Sequence, residues 1–320
     1  MNYTNIDWNQ AVQNTLADYE KTKTEQTKTF EKKEFDLTKY FTLMLPKGVN
    51  TEEKVVRFLP LNAADPFKYF EIVKFHNLQV DGKFAKLYDP AQDGEESPLN
   101  DMNKILLKSG DTDEERKENK TLANNYKSRE FYIVKLIERG KEHEGPKFWR
   151  FNKVNDGSGI MDKLIPLMKR LDDKKPGGGA IWRPDAEGRD IVVSTIRDTS
   201  KVKAGSKDKD GYTKVSQIMV DDPSPLSADE AQSNAWLNDP ITWKDVYKKK
   251  PIDYLRIVAQ GCTPVWDKEA KKFVAKSSET HTNTAVSEPK QNTYSKPPAA
   301  EISNDVDDEP TTIVVDDLPF

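Results

Sequence analysis

The sequence predicts a mainly β protein with added helices, an α+β fold whose core is an OB-like barrel. Between residues 35 and 197, short apolar segments rich in β-branched and aromatic residues recur, which is typical of strands. One helical segment, Ile160 to Leu171, interrupts them, and strands with one intercalated helix suit an OB-like barrel. After Pro223 the apolar spacing becomes helical, which predicts C-terminal helices.

The first 34 residues predict a helix followed by a basic arm. Trp8, Val12, Leu16 and Tyr19 recur at helical spacing. Residues 21–29 then alternate lysine with threonine and have no apolar face to pack. A mobile arm and a solvated continuation of the helix both fit this pattern. We expect residues 1–34 to lie outside a core of residues 35–276.

Six segments of that core predict strands: Leu37 to Leu45, Lys54 to Leu59, Phe67 to Leu78, Phe131 to Arg139, Lys147 to Asn152 and Ile191 to Arg197. In the helical segment, Ile160, Leu164, Met168 and Leu171 share one face, and Pro166 is expected to weaken or bend the helix. Residues 89–119 form an acidic insert that we expect to be too polar to pack, as a subdomain or surface loop.

An acidic tail follows the core. Residues 277–320 contain nine acidic residues and two lysines, so a total charge of −4 leaves a net positive body. This composition is typical of disorder. The sequence finishes on two carboxylates and a short apolar group: Asp316, Asp317, Leu318, Pro319 and Phe320. A basic-rimmed apolar pocket of a partner would bind such a tip, whereas a tail that served only solubility would not need Leu318 or Phe320.

Several functional classes lack support. The single cysteine, Cys262, excludes an internal disulfide, and there is no long apolar run to span a membrane. We therefore expect a soluble, cytoplasmic protein. The three histidines lie far apart in sequence, so no metal site or cofactor is expected. No catalytic carboxylate set, nucleophile motif or phosphate loop is present, so we expect no catalytic residues and no enzyme.

The most informative stretch is Lys127 to Phe151, where basic and aromatic residues interleave. Single-stranded nucleic acid needs both types, because cations neutralise phosphates and aromatic faces stack on unpaired bases. Strand alternation would also place some of these aromatic residues in the core, so burial is an equal alternative for each one. Arg197 and Tyr212, in two later basic stretches, could line the same groove.

Four landmarks, taken in order, resemble the T4-type phage single-stranded DNA-binding (helix-destabilising) protein family over residues 35–260. They are V-V-R-F-L-P at 55–60, D-P-F at 65–67, F-W-R-F at 148–151 before a helix, and the late helices. The resemblance implies an OB-fold that binds single-stranded DNA, an N-terminal arm for cooperative self-association and an acidic tail. The DNA-contacting positions that it implies are Arg57, Lys127, Arg129, Phe131, Tyr132, Trp149, Arg150, Arg197 and Tyr212.

The same resemblance bears on metal and partners. The family binds zinc through one histidine and three cysteines, and the matching positions here are His76, Asp89, Ser97 and Asn100, so we expect the zinc site to be lost. The final D-D-L-P-F resembles the partner-binding tip of bacterial single-stranded DNA-binding proteins.

The leading hypothesis is a non-enzymatic protein that coats and protects single-stranded DNA without sequence preference and melts its secondary structure. Its tail would recruit replication, recombination and repair proteins. Two alternatives stay open at this point. One is a regulator that binds single-stranded RNA, because stacking does not itself exclude ribose. The other is a scaffold protein whose aromatic residues only pack.

Overall fold

A mostly antiparallel sheet organises the protein. The computed structural model describes residues 37–63, 65–154, 157–200 and 211–276. Seven strands within these ranges form the main sheet: β1 (Thr51–Leu59), β2 (Phe70–Val80), β3 (Lys83–Tyr88), β4 (Ser128–Glu138), β5 (Lys147–Asn152), β6 (Arg189–Asp198) and β7 (Tyr212–Pro223). A separate hairpin contains β8 (Pro264–Asp267) and β9 (Lys272–Ala275).

Helices connect and cover the strands, so the fold is α+β, as predicted. They are α1 (Pro98–Lys108), α2 (Asp113–Tyr126), α3 (Ile160–Lys174), α4 (Glu230–Leu237), α5 (Trp243–Val246) and α6 (Ile252–Ala259). Short 3-10 turns cover Leu37–Lys39, Pro90–Asp93 and Glu142–Glu144. No helix in the described ranges is long and apolar enough to cross a membrane.

The long strand β4 lies at the centre of the sheet. On one side its first half pairs with β2 and its second half pairs with β1, while β5 pairs with its other side. Beyond β1 the order continues through β6 to β7, and β3 pairs with the outer edge of β2. Nearly every backbone polar group of β4 is therefore engaged in the sheet, which explains why so long a strand can be buried.

Both faces of the central strands are covered. On one face, Val134 and Trp149 pack with Val56, Val193 and other residues of the main core. Helix α3 closes this core with Ile160, Met161 and Leu164. It continues to Lys174 even though Pro166 removes one helical N–H, because its apolar face is anchored on the core. On the opposite face, Phe75, Phe131 and Phe148 pack beneath Trp243 and Tyr247, at and just after α5.

The acidic insert packs, contrary to expectation. Its helices α1 and α2 bury Leu99, Met102 and Leu106 against residues of α6 in a second core. The second helix begins at a capping box, in which Thr112 and Glu115 each bond the other's backbone N–H. Most polar residues between 89 and 119 are exposed, but Asp89, Ser97 and Asn119 are buried.

Most of the predicted strands are confirmed, with small shifts at their ends. The prediction of Lys147–Asn152 coincides with β5. The prediction of a strand at Leu37–Leu45 is wrong. After a 3-10 turn, this segment makes isolated hydrogen bonds to two different strands and no continuous ladder. Phe41 N donates to Phe148 O (2.9 Å), and Leu45 N donates to Thr213 Oγ1 (3.1 Å). The predicted N-terminal helix and arm (1–34) and the tail (277–320) lie outside the described residues.

A partly buried carboxylate, Asp190, joins the sheet to the linker after β7. Asp190 accepts from Arg57 Nε (2.6 Å) and from Arg139 Nε and a terminal guanidinium nitrogen (2.9 Å each). Arg57 also donates to Ser224 O at 2.9 Å, and Arg139 donates to Leu226 O at 2.9 Å. Burial lowers the pKa of the Arg57 guanidinium, although the Asp190 carboxylate partly opposes this. The two arginines thus depend on one shared anion.

We predict that Asp190→Ala lowers the free energy of unfolding by about 3–5 kcal/mol, because it leaves the buried Arg57 charge without its carboxylate. Urea unfolding followed by circular dichroism measures this change. Asp185→Ala is the matched control, since it removes a half-exposed carboxylate from Arg183 and should cost less than about 1 kcal/mol. Equal losses in the two variants would contradict the role given to Asp190.

Candidate nucleic-acid interface

Cationic side chains from three strands meet on one face of the sheet. Arg129 lies opposite Phe75 in the β2–β4 register, and Phe131 shares its side of β4. Lys86 Nζ lies 5.9 Å from the Phe131 ring centroid, and Arg150 Cζ lies 5.8 Å from it on the other side. These residues, together with Phe84 and Lys127, are called the cationic face below.

Strand alternation separates the charges of β4 by sign. The cationic face uses the odd-numbered positions of β4 and the even-numbered positions of β3 and β5. The two acidic residues of β4, Glu130 and Glu138, occupy even positions and therefore project to the opposite face. On β2, Glu71 shares the side of Phe75 and accepts from Trp243 Nε1 at 3.0 Å, so this face also contains one carboxylate.

The Arg150 side chain is held between aromatic rings and is almost fully buried. Its guanidinium lies 4.5 Å from the Phe75 ring centroid and 4.4 Å from that of Tyr247, and the residue is only 8% exposed. The Tyr247 hydroxyl donates to Phe148 O at 3.2 Å, which fixes the upper ring. Cation–π contacts of this kind stabilise a desolvated cation. Arg150 therefore contributes charge to the face without reaching solvent.

The solvent-exposed part of the cationic face comes from its edge. Lys127 is exposed where α2 leads into β4. Phe84 is 42% exposed and lies two residues from Lys86, so its ring is on the same side of β3. An exposed aromatic ring on the same face as lysine and arginine side chains offers a surface on which unpaired bases can stack. Sequence reasoning did not select Phe84 or Lys86, because β3 was not predicted.

A second basic stretch, Lys248–Lys250, follows Tyr247 directly. Lys248 is exposed, while Lys249 forms ion pairs with Asp93 (3.6 Å) and Glu95 (2.5 Å) of the insert. Lys250 packs 5.3 Å over the Tyr254 ring, and burial, followed by repulsion from Lys248, lowers its pKa. These lysines were also not selected, although three consecutive lysines are visible in the sequence.

Four of the predicted DNA-contacting residues are buried in this structure. Phe131 and Trp149 lie in the cores on opposite sides of the sheet, Arg57 binds Asp190, and Arg150 lies between two rings. The physical reason is that both faces of β4 and β5 are covered, so aromatic residues on either face can be core. In this arrangement the two aromatic side chains cannot stack on a base, and the two arginines cannot reach a phosphate.

The other five predicted DNA-contacting residues lie in different parts of the fold. Lys127 and Arg129 are on the cationic face, whereas Tyr132 is half-buried on the opposite face, against Phe70 and Phe151. Arg197 donates to the Val49, Leu45 and Pro46 carbonyls. Tyr212 donates to Asp198 Oδ2 at 3.1 Å.

Arg197 and Tyr212 lie at the end of the β6–β7 hairpin that adjoins its connecting loop. The intervening residues 201–210 are outside the described ranges. The predicted partner-binding residues Asp316, Asp317, Leu318, Pro319 and Phe320 are outside them as well.

The four positions that match the family's zinc ligands meet in space. Asp89 accepts hydrogen bonds from Ser97 Oγ (2.8 Å) and from Asn100 Nδ2 (3.0 and 2.9 Å to its two oxygens). His76 Nδ1 donates to Tyr126 O at 2.8 Å, and its Nε2 lies 3.4 Å from Asp89 Oδ1. This cluster joins β2 to the start of α1 and the end of α2.

This donor set does not suit zinc. Zinc sites use cysteine, histidine and carboxylate ligands, whereas two of these four side chains are a neutral hydroxyl and an amide that already donate to the carboxylate. Among the described residues, no group of three or more histidine, cysteine, aspartate or glutamate side chains is placed to hold a metal ion.

The Asp89 carboxylate is strongly stabilised in its charged form. Burial alone would raise its pKa, but the contacts with His76, Asn100 and Ser97 and the Ala91 N–H outweigh burial and hold the pKa well below its usual range. The Asp89 charge therefore contributes stability that is fully present above the pKa of the unfolded chain, about 3.9, and is lost as the pH falls from there through the lower pKa of the folded state.

Comparison of the sequence with models of known protein families found no match, and no curated protein matches it.

We predict that Asp89→Asn lowers the free energy of unfolding at pH 7 by about 2–3 kcal/mol, because charge-assisted hydrogen bonds are lost in a buried site. The variant should also lose less stability than the parent between pH 5 and pH 3. Urea titrations across this range test both points. The control is Asp101→Asn, which alters an exposed pair with Lys104. Parallel pH profiles for the parent and the Asp89 variant would contradict the assignment.

Proposed function

We propose that this protein binds single-stranded DNA without sequence preference, coating and protecting exposed strands and melting their secondary structure. The observation that carries the proposal is that Lys86 and Arg129 lie on the same face of the sheet as the exposed ring of Phe84, with Lys127 exposed where β4 begins. Lysine and arginine neutralise the phosphate backbone, and an exposed aromatic ring supplies stacking that does not depend on base identity. No catalytic step is part of the proposal.

The order of neighbouring strands in the sheet supports an OB-like core. Strands β5, β4, β1, β6 and β7 are consecutive neighbours, and α3 lies between β5 and β6 in the chain. The edge strands of this run are β5 and β7, which would meet if the barrel closed. The segment at Phe41–Leu45 bonds to both edges. In this proposal nucleic acid binds at the solvent-exposed edge of the cationic face, where Phe84 and Lys127 lie, because Trp243 and Tyr247 cover its central part over β4 and β5.

The resemblance to the T4-type phage family supports the same function. The four positions that match that family's zinc ligands are separated by up to 24 residues in sequence, yet they form one contact cluster. We propose that the hydrogen bonds of this cluster join β2 to the helical insert in place of a metal ion. We further propose that the segment Asp316–Phe320 recruits replication, recombination and repair proteins, and that residues 1–34 support cooperative self-association on DNA.

The proposal predicts tight binding of a labelled oligo-dT to the full-length chain in fluorescence anisotropy, with much weaker binding to the matched duplex. Affinity should fall with salt by about 0.7 log unit per log unit of salt for each neutralised phosphate. Lys86→Ala and Arg129→Ala should each reduce this salt dependence. Phe84→Ala should weaken binding by about 1–3 kcal/mol and leave the salt dependence nearly unchanged.

The control for these variants is Lys272→Ala, which removes an exposed lysine of β9 outside the cationic face. If it weakens binding as much as the three interface variants do, binding is nonspecific attraction to a basic body. A matched oligo-rU separates DNA from RNA binding, and equal affinity for both would favour a regulator of RNA. Absence of binding at low salt would reject the proposal.

A further inference from the structure

An apolar pocket lies away from the cationic face. It encloses about 550 Å³ between the loop after β1, the turn after α3 and the end of α4. Its lining includes Pro60, Pro66, Phe67, Trp182 and Leu237. This volume is within the range of about 300–1,000 Å³ that is usual for ligand sites in proteins.

The Phe67 side chain is exposed to solvent at the mouth of this pocket. It is 85% exposed, more than any other large hydrophobic residue in the described ranges. Two hydrogen bonds hold the described residues around it: Leu61 N donates to Lys68 O (2.9 Å), and Phe67 N donates to Asp65 Oδ1 (3.2 Å). A large aromatic side chain held in solvent by an ordered loop indicates a contact surface.

Trp182 forms a rigid wall of the pocket. Its indole N–H donates to Pro66 O at 3.1 Å, and its ring stacks on Tyr69 with centroids 4.3 Å apart. The indole is thus oriented before any ligand arrives, and its one polar atom is already bonded. A preorganised aromatic wall reduces the entropic cost of binding and favours an apolar ligand.

The charges at the pocket favour a peptide over a nucleic acid strand. The one cationic side chain in the lining, Arg183, is paired with Asp185 at 2.5 Å, and nearby Lys175 is paired with Glu187 at 2.6 Å. A nucleic acid strand would bring one phosphate with every base and find no unpaired cation in the lining. An uncharged apolar group with one or two carboxylates outside the pocket suits this site better. Residues 160–189, which supply one side of it, contain seven basic and five acidic residues.

We propose that this pocket binds the segment Leu318–Phe320 of the same chain. The segment has two apolar side chains around a proline, and two carboxylates, Asp316 and Asp317, immediately precede it. Forty-four residues follow Lys276, a length that fully extended spans about 150 Å, so reach does not limit the contact. Because the ligand is tethered, a modest intrinsic affinity suffices.

Such docking would hide Leu318 and Phe320 until a partner competes for them. The segment would then have two exclusive binding modes, one in its own pocket and one on a partner. This inference goes beyond DNA binding, and the two proposals can fail separately.

The test is photocrosslinking in the full-length chain, in the absence of DNA. Phe320 is replaced by photoreactive benzoyl-phenylalanine, and crosslinked peptides are mapped by mass spectrometry. We expect crosslinks within one chain to residues 60–67 or 177–184. Phe67→Glu should reduce their yield by at least about fivefold, because it places a charge at the apolar mouth. The matched control is Leu107→Glu, at a 56% exposed apolar residue of α1, which should leave the yield unchanged.

Three outcomes would overturn the proposal. Crosslinks that map to other surfaces would exclude this pocket, and crosslinks that survive Phe67→Glu would exclude its apolar mouth. Crosslinks between two chains would assign the segment to a second copy. The anisotropy titration with oligo-dT, run on the same samples, reports on DNA binding independently, so loss of one activity does not imply loss of the other.

Discussion

The structure depends on the pairing of β4 with three other strands. This strand contacts β1 and β2 on one side and β5 on the other, so both its backbone edges are used. Its side chains must then project alternately into two different cores. Val134 and Leu136 face the core that α3 closes, while Phe131 and Ile133 face the one beneath α5. The cationic face exists because this alternation places Arg129 and the ring of Phe131 on one side and Glu130 on the other.

The pattern of the sequence was sufficient for the class of fold and for most strands, because period-two alternation and β-branched residues are local signals. It was insufficient at Leu37–Leu45, whose backbone bonds one residue to β5 and another to a side chain of β7. No local pattern distinguishes that arrangement from a strand. The insert was misjudged for a related reason, since its apolar residues are few and acquire a partner only in α6.

The site was harder to predict than the fold. A run that alternates basic and aromatic residues usually indicates one buried and one exposed face, but Trp149 and Phe148 are both buried, on opposite faces of β5. Sequence alone cannot show that both faces of a strand are covered, because the covering elements come from residues 160–174 and 243–247, far away in the chain. Of the predicted residues, Lys127 and Arg129 lie on the cationic face. Phe84 could not be selected from the sequence, because β3 was not predicted.

The helical insert has a consequence for how the chain folds. Its core is completed by α6, and Glu96 pairs with Arg256 across 160 residues of sequence. During synthesis, residues 89–126 therefore leave the ribosome long before the helix that buries their apolar side. Contacts of such sequence separation are slow to form, since the loop must close before they contribute. The insert is the part of this domain most exposed to chaperones and proteases while the chain is still growing.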